Sequence, residues 1–303
     1  MPLDSATTAQ QRADARTGQD EREVAGLDAL ELGPQRLVEP NGFAVWGKRL
    51  WDASWPKALA LVLVLGAWQA VVWSEWKPEF VFPGPDKVLP VLLGEVTTPR
   101  FWEAMQVTMQ RALSGFALAV VVGVLVGVAV SRIKPLRAAI GSLITGLQTM
   151  PSIVWFPFAM LLYGITESAI MFVIILGAAP SIANGLVSGI DYVSPNLLRV
   201  GQVVGLRGIA RYRYLIVPAA LPTFVAGLKQ GWAFAWRSLM AGELLVIIDQ
   251  QNSIGWALSQ ARTMNNSERL LSYILIVLII GIVIDIFFSY ADKSIRKRWG
   301  IST

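Results

Sequence analysis

The 303-residue chain contains no cysteine and no histidine. The first absence excludes disulfides and thiol chemistry. The second removes the imidazole base, and together they remove the common zinc sites. Charge is scarce as well: 16% of residues are Asp, Glu, Lys or Arg, against about 25% in a soluble globular domain. No GxxxxGK[ST] phosphate loop is present, so the chain should not hydrolyse ATP by that device. No early apolar stretch precedes residue 40, which argues against a signal peptide.

What is abundant is apolar sequence, at 54% of residues. It falls into long runs, which predicts an all-α polytopic membrane protein. Six spans are expected at about 57–73, 105–130, 138–163, 169–190, 223–248 and 270–290. The basic residues cluster between and after spans, at Arg132–Arg137, Arg199–Arg213 and Lys293–Arg298. By the positive-inside rule those clusters and both termini are expected inside. Residues 1–40 are polar and expected to be a disordered cytoplasmic tail. Residues 41–56 place Phe43, Trp46, Leu50 and Trp55 roughly on one face. That predicts an interfacial helix leading into the six-span domain at 57–290, with a basic tail at 291–303.

Within the spans, Gly115, Ala119, Gly123 and Gly127 form a stripe at intervals of four, which predicts close helix packing. Pro151 and Pro157 should kink the third span. Gln148, Thr149 and Ser152 beside that kink, and Asn184 in the fourth span, are candidate pathway residues. The fifth span carries Arg237 and Glu243, six residues apart and so off a common face. Arg237 is a candidate for attracting an anion, and Glu243 for a structural or gating contact near the outer end. Ordinary helix–helix contacts are the alternative for the pathway residues, and structural pairing is the alternative for Arg237.

The largest polar island is 196–222, NLLRVGQVVGLRGIARYRYLIVPAALP. It holds Arg199, Arg207, Arg211 and Arg213, three glycines, and Pro218 and Pro222. Too short for an enzyme domain, it is long enough for one or two short helices that dock a cytoplasmic partner; a plain basic loop is the alternative. Its charge is assigned to topology and protein contacts, with no nucleic acid as partner.

This island resembles the cytoplasmic motif of the binding-protein-dependent inner-membrane permeases of ABC importers. That motif reads EAA, three residues, Gly, nine residues, then I-x-L-P. Gly205 matches its glycine and Leu215-Ile216-Val217-Pro218 its end, while the EAA positions fall on Arg199-Val200-Gly201. FPGPDKVLP, TMPSIVWFPFAMLLYG and AWRSLMAGELL followed by Gly255 resemble the nitrate, taurine and alkanesulfonate branch. The resemblance implies a type I importer permease in a bacterial inner membrane, with a second permease copy, two ABC ATPase subunits and an extracytoplasmic solute-binding protein. ATP and Mg would sit on the ATPase, and this chain would bind no cofactor and be no enzyme. Arg199, Gly201, Gly205, Arg207, Arg211 and Pro218 would then form the ATPase-coupling site. The implied solute is a small anion; bicarbonate, a thiamine precursor, or a secondary transporter working without an ATPase are the alternatives.

Overall fold

A backbone removed from water must satisfy its own hydrogen bonds, so long apolar runs become long helices. The computed structural model describes residues 42–248 and 251–298. The expectations for 1–40 and for the end of the basic tail lie outside them. Among the described residues all regular structure is helical. In chain order the helices are α1 (Gly42–Trp73), α2 (Pro85–Val96), α3 (Pro99–Arg132), α4 (Lys134–Thr149), α5 (Phe156–Tyr163), α6 (Glu167–Asp191), α7 (Pro195–Val203), α8 (Gly208–Arg211), α9 (Val217–Leu245), α10 (Ile254–Thr263) and α11 (Ser267–Arg298). A 3-10 turn at Ser152–Trp155 precedes α5, and a π-turn at Tyr212–Ile216 precedes α9.

The chain divides into two compact units between residues 67 and 68, within α1. The segment expected as an interfacial helix and the first span belong to this one helix, which runs on through Pro56. The second unit is organised around α6, which packs against both α9 and α3. The glycine stripe of α3 explains the second contact. A side chain at Gly123 would begin 2.8 Å from the Ala179 carbonyl oxygen, and one at Gly127 3.1 Å from that of Ala183. On the other side of α6, Gly185 faces Gly227 of α9 so closely that a Cβ on either would meet the other's Cα at 2.6–2.7 Å. Small residues let the backbones approach, and dispersion contacts then replace the missing hydrophobic drive between helices in lipid. Phe156, Ile170, Val173, Ile174, Ile182, Trp232 and Leu239 fill the core around these crossings.

The third expected span is broken rather than kinked. Pro135–Thr149 and Ser152–Tyr163 meet at 102°. Pro151 pushes the preceding residue out of the helical region, and Met150 is extended, at φ −77° and ψ 129°.

The connection after α9 contains the packed helix α10. Its Ile254, Gly255, Ala257 and Ala261 are buried. Ile254 and Ala257 share a second core with Leu92, Phe101, Ala104, Tyr273 and Ile276. The sequence pattern hid this because the buried positions are mostly small residues. Between the first span and α3 lies the short helix α2. Glu95 of α2 pairs with Arg269 at 2.8 Å and accepts from the Tyr273 hydroxyl at 2.7 Å.

Among the described residues, four helical stretches are long and apolar enough to cross a membrane: Trp55–Trp73, Pro99–Arg132, Glu167–Asp191 and Ser267–Lys297. The broken pair would add a fifth. With 29 residues, α9 has the length, but Lys229, Gln230, Arg237 and Glu243 interrupt its apolar character. Several long apolar helices in an all-α bundle are the architecture of a polytopic membrane protein.

Candidate functional site

The arginine-rich island folds as α7, a glycine turn, the single turn α8 and the π-turn leading into α9. α7 begins with Pro195 in its first turn, where the missing N–H costs nothing. It ends in a Schellman motif. The Leu206 N–H donates back to the Gly201 carbonyl at 2.8 Å and the Gly205 N–H to that of Gln202 at 3.0 Å. The reversal needs a left-handed residue, and Gly205 supplies it at φ +80°. Gly201 is small for a different reason: the Leu215 side chain lies where its Cβ would be. Leu215 joins Val193 and Ile216 in a small core with Leu198, Leu206 and Tyr212 packed against it. Pro218 offers no N–H to the Tyr214 carbonyl, and the wider π-turn precedes it.

One contact ties the island to the end of α3, and a second ties α4 to α6 just before the island begins. The Arg132 guanidinium at the end of α3 lies 3.9 Å from the Tyr212 ring centre. Arg137 of α4 pairs with Asp191, the last residue of α6. The island's own arginines behave otherwise. Arg199, Arg207 and Arg213 are exposed and Arg211 is half-buried. Among the described residues none of the four forms an ion pair.

The candidate pathway residues fall into two groups. Gln148 and Ser152 both face α6. The Gln148 amide donates to Ser181 Oγ at 3.3 Å. A Cβ on Gly177 would come 3.7 Å from Ser152 Cβ and 2.6 Å from Ser238 Oγ, a fully buried hydroxyl without a hydrogen-bond partner. Thr149 instead bonds its own turn, at the Gly146 carbonyl, and Asn184 is exposed on α6. Arg237 is exposed on α9; its Nε donates to the Ala233 carbonyl at 3.1 Å and its guanidinium lies 4.8 Å from the Phe234 ring centre.

Glu243 is only 1% exposed, and its partner is Arg111 of α3 rather than Arg237. Arg111 Nη1 donates to Glu243 at 3.0 Å, its Nε donates to Glu167 at 2.9 Å, and Gln251 takes a further bond. Glu243 also accepts from the Thr108 hydroxyl at 2.9 Å and from the Gly255 N–H at 3.0 Å, at the start of α10. Thr108 in turn accepts from the Ile254 N–H at 3.0 Å. A carboxylate at a helix N-terminus meets unsatisfied N–H groups and the favourable end of the helix dipole. Glu243 thereby fastens α10 to α3 and α9, while Glu167 ties in α6. A hollow of about 880 Å³ lies over this cluster, with Glu103, Gln110, Arg111, Glu167, Gln251 and Asn252 in its lining.

Sequence reasoning missed this cluster. It gave Arg111, Glu167 and Thr108 no role in a site. The one available signal was the isolation of Arg111 in an apolar helix, since a charge there needs a partner. Among the described residues no group of His, Cys, Asp and Glu could hold a metal ion.

Comparison with known proteins places these features. Residues 119–297 match the family described as binding-protein-dependent transport system inner membrane component. The nitrate import permease of Synechocystis is 24% identical over 271 residues, covering 86% of this chain and 94% of the relative. The taurine transport system permease of Escherichia coli is 23% identical over 231 residues, covering 75% and 83%. A crystal structure of an amino acid ABC transporter with histidines shares the fold with TM-score 0.52 and 19% identity, across 68% of this chain and 98% of that one.

Proposed function

The chain belongs to the family of binding-protein-dependent transport system inner membrane components, and from that premise we propose that it forms the membrane path of an ATP-driven importer for a small anion. It is a transport permease, not an enzyme. On this reading six spans cross the membrane, with α9 and the broken α4–α5 pair counted among them, and both termini lie inside. A second permease copy completes the path, two ATPase subunits sit beneath it, and a solute-binding protein delivers from outside.

The observation that carries the reading is the arginine-rich island. A nine-residue helix ended by a Schellman turn presents exposed side chains away from the bundle. Its inner face is anchored by Leu215 against Gly201. Arg199, Gly201, Gly205, Arg207, Arg211 and Pro218 form the coupling site: some touch the ATPase, while Gly201, Gly205 and Pro218 shape the turn. Gln148, Ser152 and Asn184 border the path beside α6. Exposed Arg237, without an ion pair among the described residues, supports an anionic solute. Arg111 does not, because Glu167, Glu243 and Gln251 already occupy its donors. The names of the nitrate and taurine relatives support the same solute class.

Uptake of a solute panel, in cells with and without this chain and with the ATPase and binding protein intact, tests the proposal. Loss of taurine, sulfonate or nitrate uptake is the expected result, and Arg237→Ala should then lower uptake in an assembled complex. Unchanged anion uptake with loss of another solute, such as bicarbonate or a thiamine precursor, would discard the anion reading and keep the importer.

A further inference from the structure

The island's outer surface describes the partner that fits it. Along α7, Leu197, Val200, Val203 and Val204 fall at the spacing of one helical face, and all four are exposed, Val203 at 89%. Ile209 in the following turn is 86% exposed. Leu198 and Gly201, on a separate side of the helix, turn to the small core. α7 is therefore apolar on two sides, and only one of them is covered within the described residues.

In the same segment Arg199, Arg207 and Arg213 are all exposed. The chain has no acidic residue between Asp191 and Glu243 and no lysine between Lys134 and Lys229. Two points follow. Among the described residues the positive rim has no ion-pair partner, so a surface that buries it must bring one or leave a desolvated cation unpaired. Membrane topology is served by lysine as well as arginine, whereas the planar guanidinium matches carboxylates in two-point contacts. An apolar centre with a charged rim is also the usual anatomy of a protein interface.

We propose that the ATPase subunit serving this permease receives the island in an apolar groove rimmed by Asp or Glu carboxylates, which pair with Arg199, Arg207 and Arg213. This rests on the coupling reading above and adds the chemistry of the partner. The rim also acts as a filter: an ATPase groove with a basic rim repels this island and is excluded from the complex.

The test uses the full chain and its ATP-hydrolysing subunit, assembled in nanodiscs of phosphatidylcholine alone. Arg199→Glu with Arg207→Glu should lower ATPase affinity by more than about tenfold, and Arg207→Gln by less. Wild-type affinity should fall as salt rises, and an Asp→Arg or Glu→Arg change on the groove rim should restore binding to the reversed chain. If Val203→Asp abolishes docking while charge reversal and salt do nothing, the island docks but the acidic rim is wrong. If Val203→Asp and both reversals leave affinity intact, the ATPase sits elsewhere and the coupling reading itself fails. If reversal matters only once phosphatidylglycerol is added, lipid phosphates are what the arginines hold, and the proposal is overturned. Purified variants should melt with the parent, since the substituted side chains are exposed.

Discussion

The two places where this chain gathers charge treat it in opposite ways. Around Arg111, charge is buried and matched: the guanidinium has Glu243 and Glu167, and Glu243 has three donors. Around Arg199–Arg213, charge is exposed and unmatched among the described residues. The first arrangement is complete within one chain and holds four helices together. The second, on the proposed reading, is completed by the ATPase subunit. Substitution in the first should therefore be felt by the isolated protein, and in the second by the assembled one.

The largest effect expected is from Arg111→Ala. It strands Glu243 without its counter-charge and should cost about 3–5 kcal/mol, read as a fall in the melting temperature of the purified permease. Arg199→Ala, by contrast, should stay within about 0.5 kcal/mol. Equal losses for the two would break the distinction. Replacing Arg111 and Glu243 together by Met and Gln should recover part of the loss, because the stranded charge goes too.

Next in size is Gly255→Ala. The added methyl would overlap the Glu243 side chain and approach its backbone carbon at 3.1 Å, so overpacking of about 1–3 kcal/mol is expected. Gly205→Ala has open space around it but a left-handed φ, which costs about 1–2 kcal/mol. Its loss should appear mainly in ATPase coupling. A smaller effect belongs to Lys229, which pairs with Asp285 at 3.0 Å while both are partly exposed. Lys229→Met should cost no more than about 1 kcal/mol in the same melting assay.

The smallest concerns Lys87, whose pKa its hydrogen bond to Glu79 raises above the ordinary lysine value of 10.5. A raised amine stabilises fully below its unfolded pKa and loses that contribution only as pH rises through the higher folded one. Lys87→Met should leave the melting profile between about pH 6 and 9 parallel to that of the parent. A slope change there would mean another titrating group is at work.

The sequence announced these two regions unequally. The Schellman turn was legible because Gly205 sits where a left-handed residue must end a short helix. The stripe from Gly115 to Gly127 was legible because its period of four is a property of one helix. Pro151 signalled a disturbance in the third span, though not its angle, which depends on how α4 and α5 each pack against α6. The buried cluster was illegible for the same kind of reason. Thr108 and Arg111 lie more than 130 residues from Glu243 in the chain, and no local pattern records a partner at that distance. α10 escaped notice because close packing there selects small residues, which carry a weak apolar signal.

One continuous helical run connects the two regions. From Gly208 through the π-turn to Leu245 the chain stays helical, a length of roughly 55 Å at 1.5 Å per residue. The arginine-rich turn is at one end and Glu243 is at the other. Near the middle, Gly227 is pressed backbone to backbone on Gly185. A beam held close at its centre is a lever with a fulcrum. Tilting it by about 5° about that crossing would carry each end about 2 Å, in opposite directions. Two ångströms is more than the hydrogen bonds of Glu243 tolerate. The π-turn and Pro222 both lie on the arm nearer the arginines, so what give the lever has is on that side, and the stiffer arm ends at the buried charges.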